Sequence, residues 1–282
     1  QENHIQKTYN DKPTGDTMKD IVKQFSDKEV ETEETTKQRL QFDREHPVDA
    51  IKKVYNRSVS TRNKSSLFML YQTGDNGEQK YRYETWEKAF DRSSDIKFKQ
   101  DNTIASNAPD EQKQNENLLW FKASDSFTSV TRGLGKASQT TYNRETGVAH
   151  RVQKNPQSKF KVAGNQIYNT SESSGNADKK PPVYTMHSPS NEKSDTRVAS
   201  ARADRSSFLS HLAQNSAEFE CIGNPDITIG KMIDLDIPNK SQDGSGANEK
   251  QFSGKALVVG VRSEEHTSEL QSLAYLVCRL LL

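Results

Sequence analysis

The sequence predicts an α+β protein: a small α/β module followed by an antiparallel β-barrel-like module, the whole incomplete at both ends. Three observations carry this. Within residues 1–100, two apolar stripes of helical period, near 16–25 and 47–57, alternate with short strands and an Asn-Gly hairpin over 66–83. Between 194 and 261, Ile233, Leu235 and Ile237 alternate with Asp234 and Asp236, the signature of a strand with one wet face. Hydrophobic residues make up only 31% of the chain and mean hydropathy is −0.97, which favours several small cores over one large one.

Taken in order, His4 to Tyr9 reads as the end of a strand. Thr14-Gly15-Asp16 offers cap residues for a helix whose stripe is Met18, Ile21, Val22 and Phe25. The acidic stretch Asp27 to Lys37, with Glu29, Glu31, Glu33 and Glu34, reads as a solvated loop leading to a strand around Leu40 and Phe42. Pro47 suits the first turn of a second helix with the inner stripe Val48, Ile51, Val54 and Tyr55. Strands at Leu67–Tyr71 and Lys80–Tyr83 flank Gly74-Asp75-Asn76-Gly77, and Thr85 is placed to cap a short helix with Trp86, Ala89 and Phe90.

A middle module, 101–193, holds an Asn/Gln-rich loop and the strand Leu118–Phe121. A short helix with Phe127, Val130 and Leu134 follows, then strands near Thr140–Tyr142 and Val148–Val152. The Ser/Asn/Lys/Pro-dense interval Asn169–Lys193 reads as a long surface excursion. The third module, 194–261, opens with a helix from about Asp195 to Asn215, on whose stripe Val198, Ala201, Arg205, Phe208, Leu209 and Leu212 fall. Strands follow with Phe219 and Cys221 on one face, then Ile233–Ile237 and Ala256–Val261, joined by the turn Gly223-Asn224-Pro225-Asp226 and a loop from Asn239 to Lys250.

Residues 262–282 read differently. Arg-Ser-Glu-Glu-His-Thr-Ser-Glu-Leu-Gln-Ser (262–272) is the first-frame translation of a common short-read sequencing adapter. Leu273-Ala274-Tyr275 fits its barcode, and Leu276–Leu282 fits the bases after it. The segment is expected to be an adapter-derived artefact rather than a domain, with the true C-terminus beyond it and, as Gln1 is no initiator, the true N-terminus upstream. Setting it aside removes Cys278 and leaves Cys221 alone, so no intrachain disulfide is expected. It also removes Arg262, Arg279, Glu264, Glu265 and Glu269, moving the formal charge from +1 to about +2. That is no electrostatic footprint for nucleic acid, so no specific nucleic-acid binding is expected. No remaining run approaches a membrane span.

The chemistry-bearing residues make no site. Arg132-Gly133-Leu134-Gly135-Lys136 lacks the spacing of a phosphate loop and reads as a helix stop. His4, His46, His150, His187 and His211 are scattered, without an i, i+4 metal pair. Cys221 has no placed base and reads as a core residue. Asp234 and Asp236 share a strand face, and alternation explains them without catalysis. Ser206-Ser207 and Ser253-Gly254 have no nucleophile-elbow context. No catalytic, cofactor-binding or metal residue is assigned, no cofactor is expected, and the chain is read as not an enzyme.

Two stretches point to a family. One runs from Ile5-Gln6-Lys7-Thr8-Tyr9 through helix Asp16–Phe25 and His46-Pro47-Val48-Asp49-Ala50-Ile51 with Asn56-Arg57-Ser58-Val59 to the hairpin. The other runs from Arg202–Leu212 through Gly223-Asn224-Pro225-Asp226-Ile227-Thr228-Ile229-Gly230 to Ile237-Pro238 and Ser253-Gly254-Lys255 before Val258-Val259-Gly260-Val261. This order resembles the baseplate hub proteins of contractile-tailed bacteriophages, over most of 1–261 and least at 100–190. The resemblance implies a virion structural protein assembled in the host bacterial cytoplasm. It implies a homotrimeric ring adapting the tail tube protein to the central spike or tail lysozyme, among other baseplate proteins. Residues 194–261 would complete one barrel of each chain. The excursion at 169–193 is longer than that pattern. The competing readings are a tail-associated cell-wall hydrolase and a stand-alone ligand-binding β domain.

Overall fold

The computed structural model describes residues 4–75, 78–94, 96–99, 115–125, 137–143, 147–154, 184–190, 204–205, 209, 215–222, 224, 226–237, 253–265 and 274–281. It has the α+β class, with helices beside antiparallel and mixed sheets. The chain divides into two units, each gathered from three separate stretches. One comprises 1–88, 128–160 and 170–211; the other comprises 89–127, 161–169 and 212–282. Where the sequence suggests boundaries at 100 and 193, the chain instead passes between units several times.

In the first unit, β1 (Ile5–Pro13) pairs antiparallel with β3 (Lys37–Glu45). A three-stranded sheet has β5 (Glu78–Thr85) between β2 (Val30–Thr32) and β4 (Phe68–Asp75). The hairpin β4–β5 closes at Asp75↔Glu78, as Asn76-Gly77 requires. Helices α1 (Thr14–Val22) and α2 (Pro47–Tyr55) supply Met18, Ile21, Val22, Ala50 and Val54 to a core shared with Ile5, Tyr9, Val30, Leu40, Phe42, Phe68 and Tyr83.

Helix α1 begins at Thr14, two residues earlier than the expected start. Its first amides are met from the 33–36 segment: Thr14 N donates to Thr36 O and Gly15 N to Thr35 Oγ1 at 2.7 Å. After Val22 the helix tightens into i→i+3 bonds, Gln24 N to Ile21 O and Phe25 N to Val22 O. The 3.6 period breaks there, and Phe25, expected on the inner stripe, lies exposed. Val48 is exposed as well; it sits about 200° round the helix from Ala50, and the buried stripe is carried by Ala50 and Val54. Thr85 does cap α3 (Trp86–Phe90), its Oγ1 accepting from Lys88 N at 3.4 Å.

The expected loop 27–37 contains β2, whose Val30 is buried in the core and which pairs parallel with β5. Part of the expected surface excursion is likewise a strand. β10 (Tyr184–Ser190) pairs parallel with β8 (Ala137–Asn143), which pairs antiparallel with β9 (Ala149–Lys154). The expected helix at 195–215 is described as helical only at 204–205 and 209, and Asn215 already belongs to a strand. The helix expected after Ser124 and the loops at 101–114 and 239–250 lie outside the described residues.

The second unit is a ring of six strands in the cyclic order β11-β14-β13-β12-β6-β7. These are β6 (Ile96–Lys99), β7 (Asn115–Asp125), β11 (Asn215–Ile222), β12 (Met232–Asp236), β13 (Gly254–Glu265) and β14 (Ala274–Leu281). Neighbours run antiparallel except at β6, which is parallel to both β12 and β7. Alternation fills the core with Phe98, Ala217, Phe219, Cys221, Ile227, Ile233, Leu235, Ala256 and Val258. Gly230 adopts φ +86 in the turn into β12, where a side chain would be strained; its N donates to Val258 O at 2.8 Å. β13 runs past Val261 to Glu265, and β14, within the adapter-like segment, pairs with both β11 and β13.

Candidate functional site

Among the described residues, a buried polar constellation lies inside the first unit, around the segment joining α2 to β4. Glu33, expected in a solvated loop, is buried. It directly follows β2, its N donating to Tyr83 O at 2.9 Å, and its oxygens are filled by three donors: Ser60 Oγ to Oε1 at 2.6 Å, and Thr85 N and Oγ1 to Oε2, each at 2.8 Å. A carboxylate so engaged joins three chain segments and has little capacity left for a substrate. Gly15 packs against this segment so closely that a Cβ there would stand 3.0 Å from Glu33 O.

Beside it, Tyr83 OH donates to Ser58 Oγ at 2.6 Å, and Ser58 Oγ donates to Val54 O at 2.9 Å. Burial, offset in part by the Ser58 hydrogen bond, pushes the Tyr83 phenol well above its ordinary value. Arg205, on the apolar stripe of the expected 195–215 helix, is also buried here and donates to Ser66 O, Tyr55 O and Asn56 Oδ1. The signal that could have found it was that placement, since a charged residue on an apolar face needs buried acceptors.

Tyr9 points into the core with its hydroxyl unpaired, and burial, then the charge of Asp20, raises its phenol. Lys7 and Lys12 stand over its ring at 4.9 and 5.4 Å. Glu31, exposed, pairs with Lys80 at 2.7 Å and Arg82 at 3.0 Å. The Lys80 hydrogen bond, opposed by burial, holds its carboxyl below the usual value.

On the ring, Cys221 is buried in the core. Asp234 and Asp236 face away from the core, and the register sets Asp234 opposite Lys97 on one side and Lys255 on the other, with Asp236 opposite Lys99. The register thus places basic residues, not acidic ones, opposite these two positions on the neighbouring strands. Ser253 Oγ is a staple, accepting from Ile237 N and donating to Ile237 O, both at 3.0 Å. His46 caps α2, its Nδ1 accepting from Val48 N at 3.3 Å. His4 is exposed, and His150 and His187 lie on β9 and β10. His211, Ser206-Ser207 and Arg132–Lys136 lie outside the described residues. Among the described residues, no three His, Cys, Asp or Glu side chains are grouped to hold a metal, and no helix is long and apolar enough to cross a membrane.

Neither a family model nor a curated protein matches the sequence. The fold does match solved structures. A tail protein from Neisseria meningitidis MC58 aligns over 99% of this chain and 69% of its own, at TM-score 0.56 and 9% identity. The 43 kDa tail protein of prophage MuSo2 from Shewanella oneidensis aligns over 97% of this chain and 65% of its own, at TM-score 0.50 and 12% identity. The chain thus shares the fold of these tail proteins and spans about two thirds of their length.

Proposed function

We propose that this chain is a structural component of a phage tail, and within it the baseplate hub: a homotrimer that adapts the tail tube to the central spike of a contractile tail. The observation that carries the reading is the fold match across nearly the whole chain to two tail proteins. Composition supports it. A chain with mean hydropathy −0.97, divided between two modest cores, suits a subunit whose stability is completed by its neighbours. The polar constellation also fits a scaffold, because the oxygens of Glu33 are taken up by the chain itself. The partners in this reading are two further copies, the tail tube protein, and the spike or tail lysozyme, in a virion assembled in the host cytoplasm.

In the same reading residues 262–282 are adapter-derived, and β14 stands in for whatever natural strand lies between β11 and β13. Two experiments test these separately. Light scattering of the purified protein, with pull-down against the spike, should give a ring of three that retains the spike; a strictly monomeric, spike-indifferent protein would sink the hub. Resequencing across Val261 should return a different continuation, and recovery of the same 21 codons from an independent library would overturn the adapter reading.

A further inference from the structure

The 56–66 segment between α2 and β4 is held at its neck by one side chain from far downstream. Arg205 Nη2 donates to Tyr55 O at 2.5 Å and Nη1 to Asn56 Oδ1 at 2.9 Å, where the segment starts. Nε and Nη2 donate to Ser66 O at 3.1 and 2.7 Å, where it ends. The guanidinium also lies over the Tyr55 ring, 3.9 Å from its centroid. Planar, charged and 6% exposed, it bridges the carbonyl of Tyr55, at the end of α2, and that of Ser66, two residues before β4.

Beyond the neck, the segment is hydrogen-bonded to its surroundings where it is buried and exposed at its tip. Ser58 and Ser60 are pegged by Tyr83 and Glu33, and Thr36 N donates to Val59 O at 2.9 Å. Past them, Thr61, Arg62, Asn63 and Lys64 form an exposed tip. The tip is a tight turn: Ser60 N donates to Ser65 O at 2.7 Å, Ser65 N to Asn63 Oδ1 at 3.0 Å, and Lys64 takes φ +56. A left-handed non-glycine residue costs free energy and persists only where its surroundings enforce it.

We propose that Arg205 is a clasp that couples its own docking to the conformation of the exposed 61–64 turn. With the clasp engaged, the neck is closed and the turn is held in one strained geometry. With Arg205 withdrawn, the buried Ser66 carbonyl loses its guanidinium donors, the neck opens and Lys64 relaxes from its left-handed conformation. The module formed early in the sequence thereby presents its turn only when a residue more than a hundred positions downstream is in place. This inference is independent of the tail reading.

Hydrogen exchange and limited trypsin digestion of the full chain test it. Arg205→Ala should speed exchange at the Ser60 and Thr61 amides by about tenfold or more while leaving β1 and β3 amides unchanged. It should also speed cleavage after Arg62 and Lys64. Arg205→Lys, which keeps the charge but not the fork, should fall between, and Asn56→Ala should give a smaller change in the same place. Unchanged exchange at 60–61 would overturn the clasp, and so would an equal rise across β1 and β3. If Arg205→Ala does not fold, Arg205→Lys and Asn56→Ala carry the same test with the same two overturning results.

Discussion

The first module and the six-stranded ring bury their side chains by opposite means. The module threads polar groups through its interior: Glu33 under Ser60 and Thr85, Tyr83 on Ser58, Arg205 on three acceptors. The core cluster of the ring is apolar, with Phe98 and Phe219 in ring contact at 4.9 Å, and Asp234 and Asp236 alternate with its core residues, in register with lysine positions of β6 and β13. Apolar packing tolerates small changes of shape, because its energy is spread over many weak contacts. A buried polar network does not, because each unpaired group carries a desolvation cost.

Substitutions in the two regions test that contrast. Glu33→Ala would leave three buried donors without their acceptor and should cost about 4 kcal/mol, close to the ~3–5 kcal/mol expected for Phe219→Ala in the ring. The conservative pair separates the two regions. Glu33→Gln keeps the shape but turns an NH2 towards a donor and should still cost about 2 kcal/mol, whereas Ile233→Val should cost about 1 kcal/mol. Urea unfolding of the four variants measures this, and a Glu33→Gln variant as stable as wild type would remove the distinction. Gly15→Ala comes next, at about 2 kcal/mol, since its Cβ would meet Glu33 O at 3.0 Å and Thr32 Cβ at 3.2 Å. An unaltered thermal midpoint would mean the 32–33 backbone yields freely.

The same contrast explains what was legible in the sequence. Elements whose signal is periodic or local came through: the helices near 14–22 and 47–55, the Asn-Gly hairpin, the Thr85 cap and the alternation at 233–237. The polar interior did not. Glu33 sits among Glu29, Glu31 and Glu34, three exposed neighbours of identical chemistry, and its burial depends on Ser60 and Thr85, which lie 27 and 52 residues downstream. β6 was hidden for another reason. It is four residues long, and its parallel partners β7 and β12 are fixed by long-range closure that no local pattern encodes. The candidate carboxylates of β12 were visible, but their cationic neighbours belong to other strands.

Tyr83 gives the contrast a pH dependence. Its phenol is raised in the folded chain, so the neutral form is the one the fold favours. The stability this contributes is complete below the ordinary tyrosine value of 10.0 and declines as pH rises beyond it towards the folded value. Urea midpoints should therefore fall more steeply above that pH for wild type than for Tyr83→Phe, which itself should cost only about 1 kcal/mol at neutral pH. Equal slopes would show that Tyr83 is not the group being ionised.

The smallest effect is expected on the outer face of the ring. Asp234 is half-buried and stands between Lys97 and Lys255 in register, so Asp234→Asn removes cross-strand attraction in a solvated setting and should cost about 0.5 kcal/mol. Part of that small cost should vanish in high salt, where screening weakens the wild-type pairs as well. A carboxylate held instead as a reacting group would behave otherwise. Groups arranged for chemistry rather than stability commonly gain stability when neutralised, because like charges and desolvation no longer oppose the fold. An Asp234→Asn variant that is more stable than wild type at low salt would therefore reopen the carboxylate pair as a site. A small, salt-sensitive loss would place Asp234 with the lysines that flank it, as part of a neutralised wall around an apolar core.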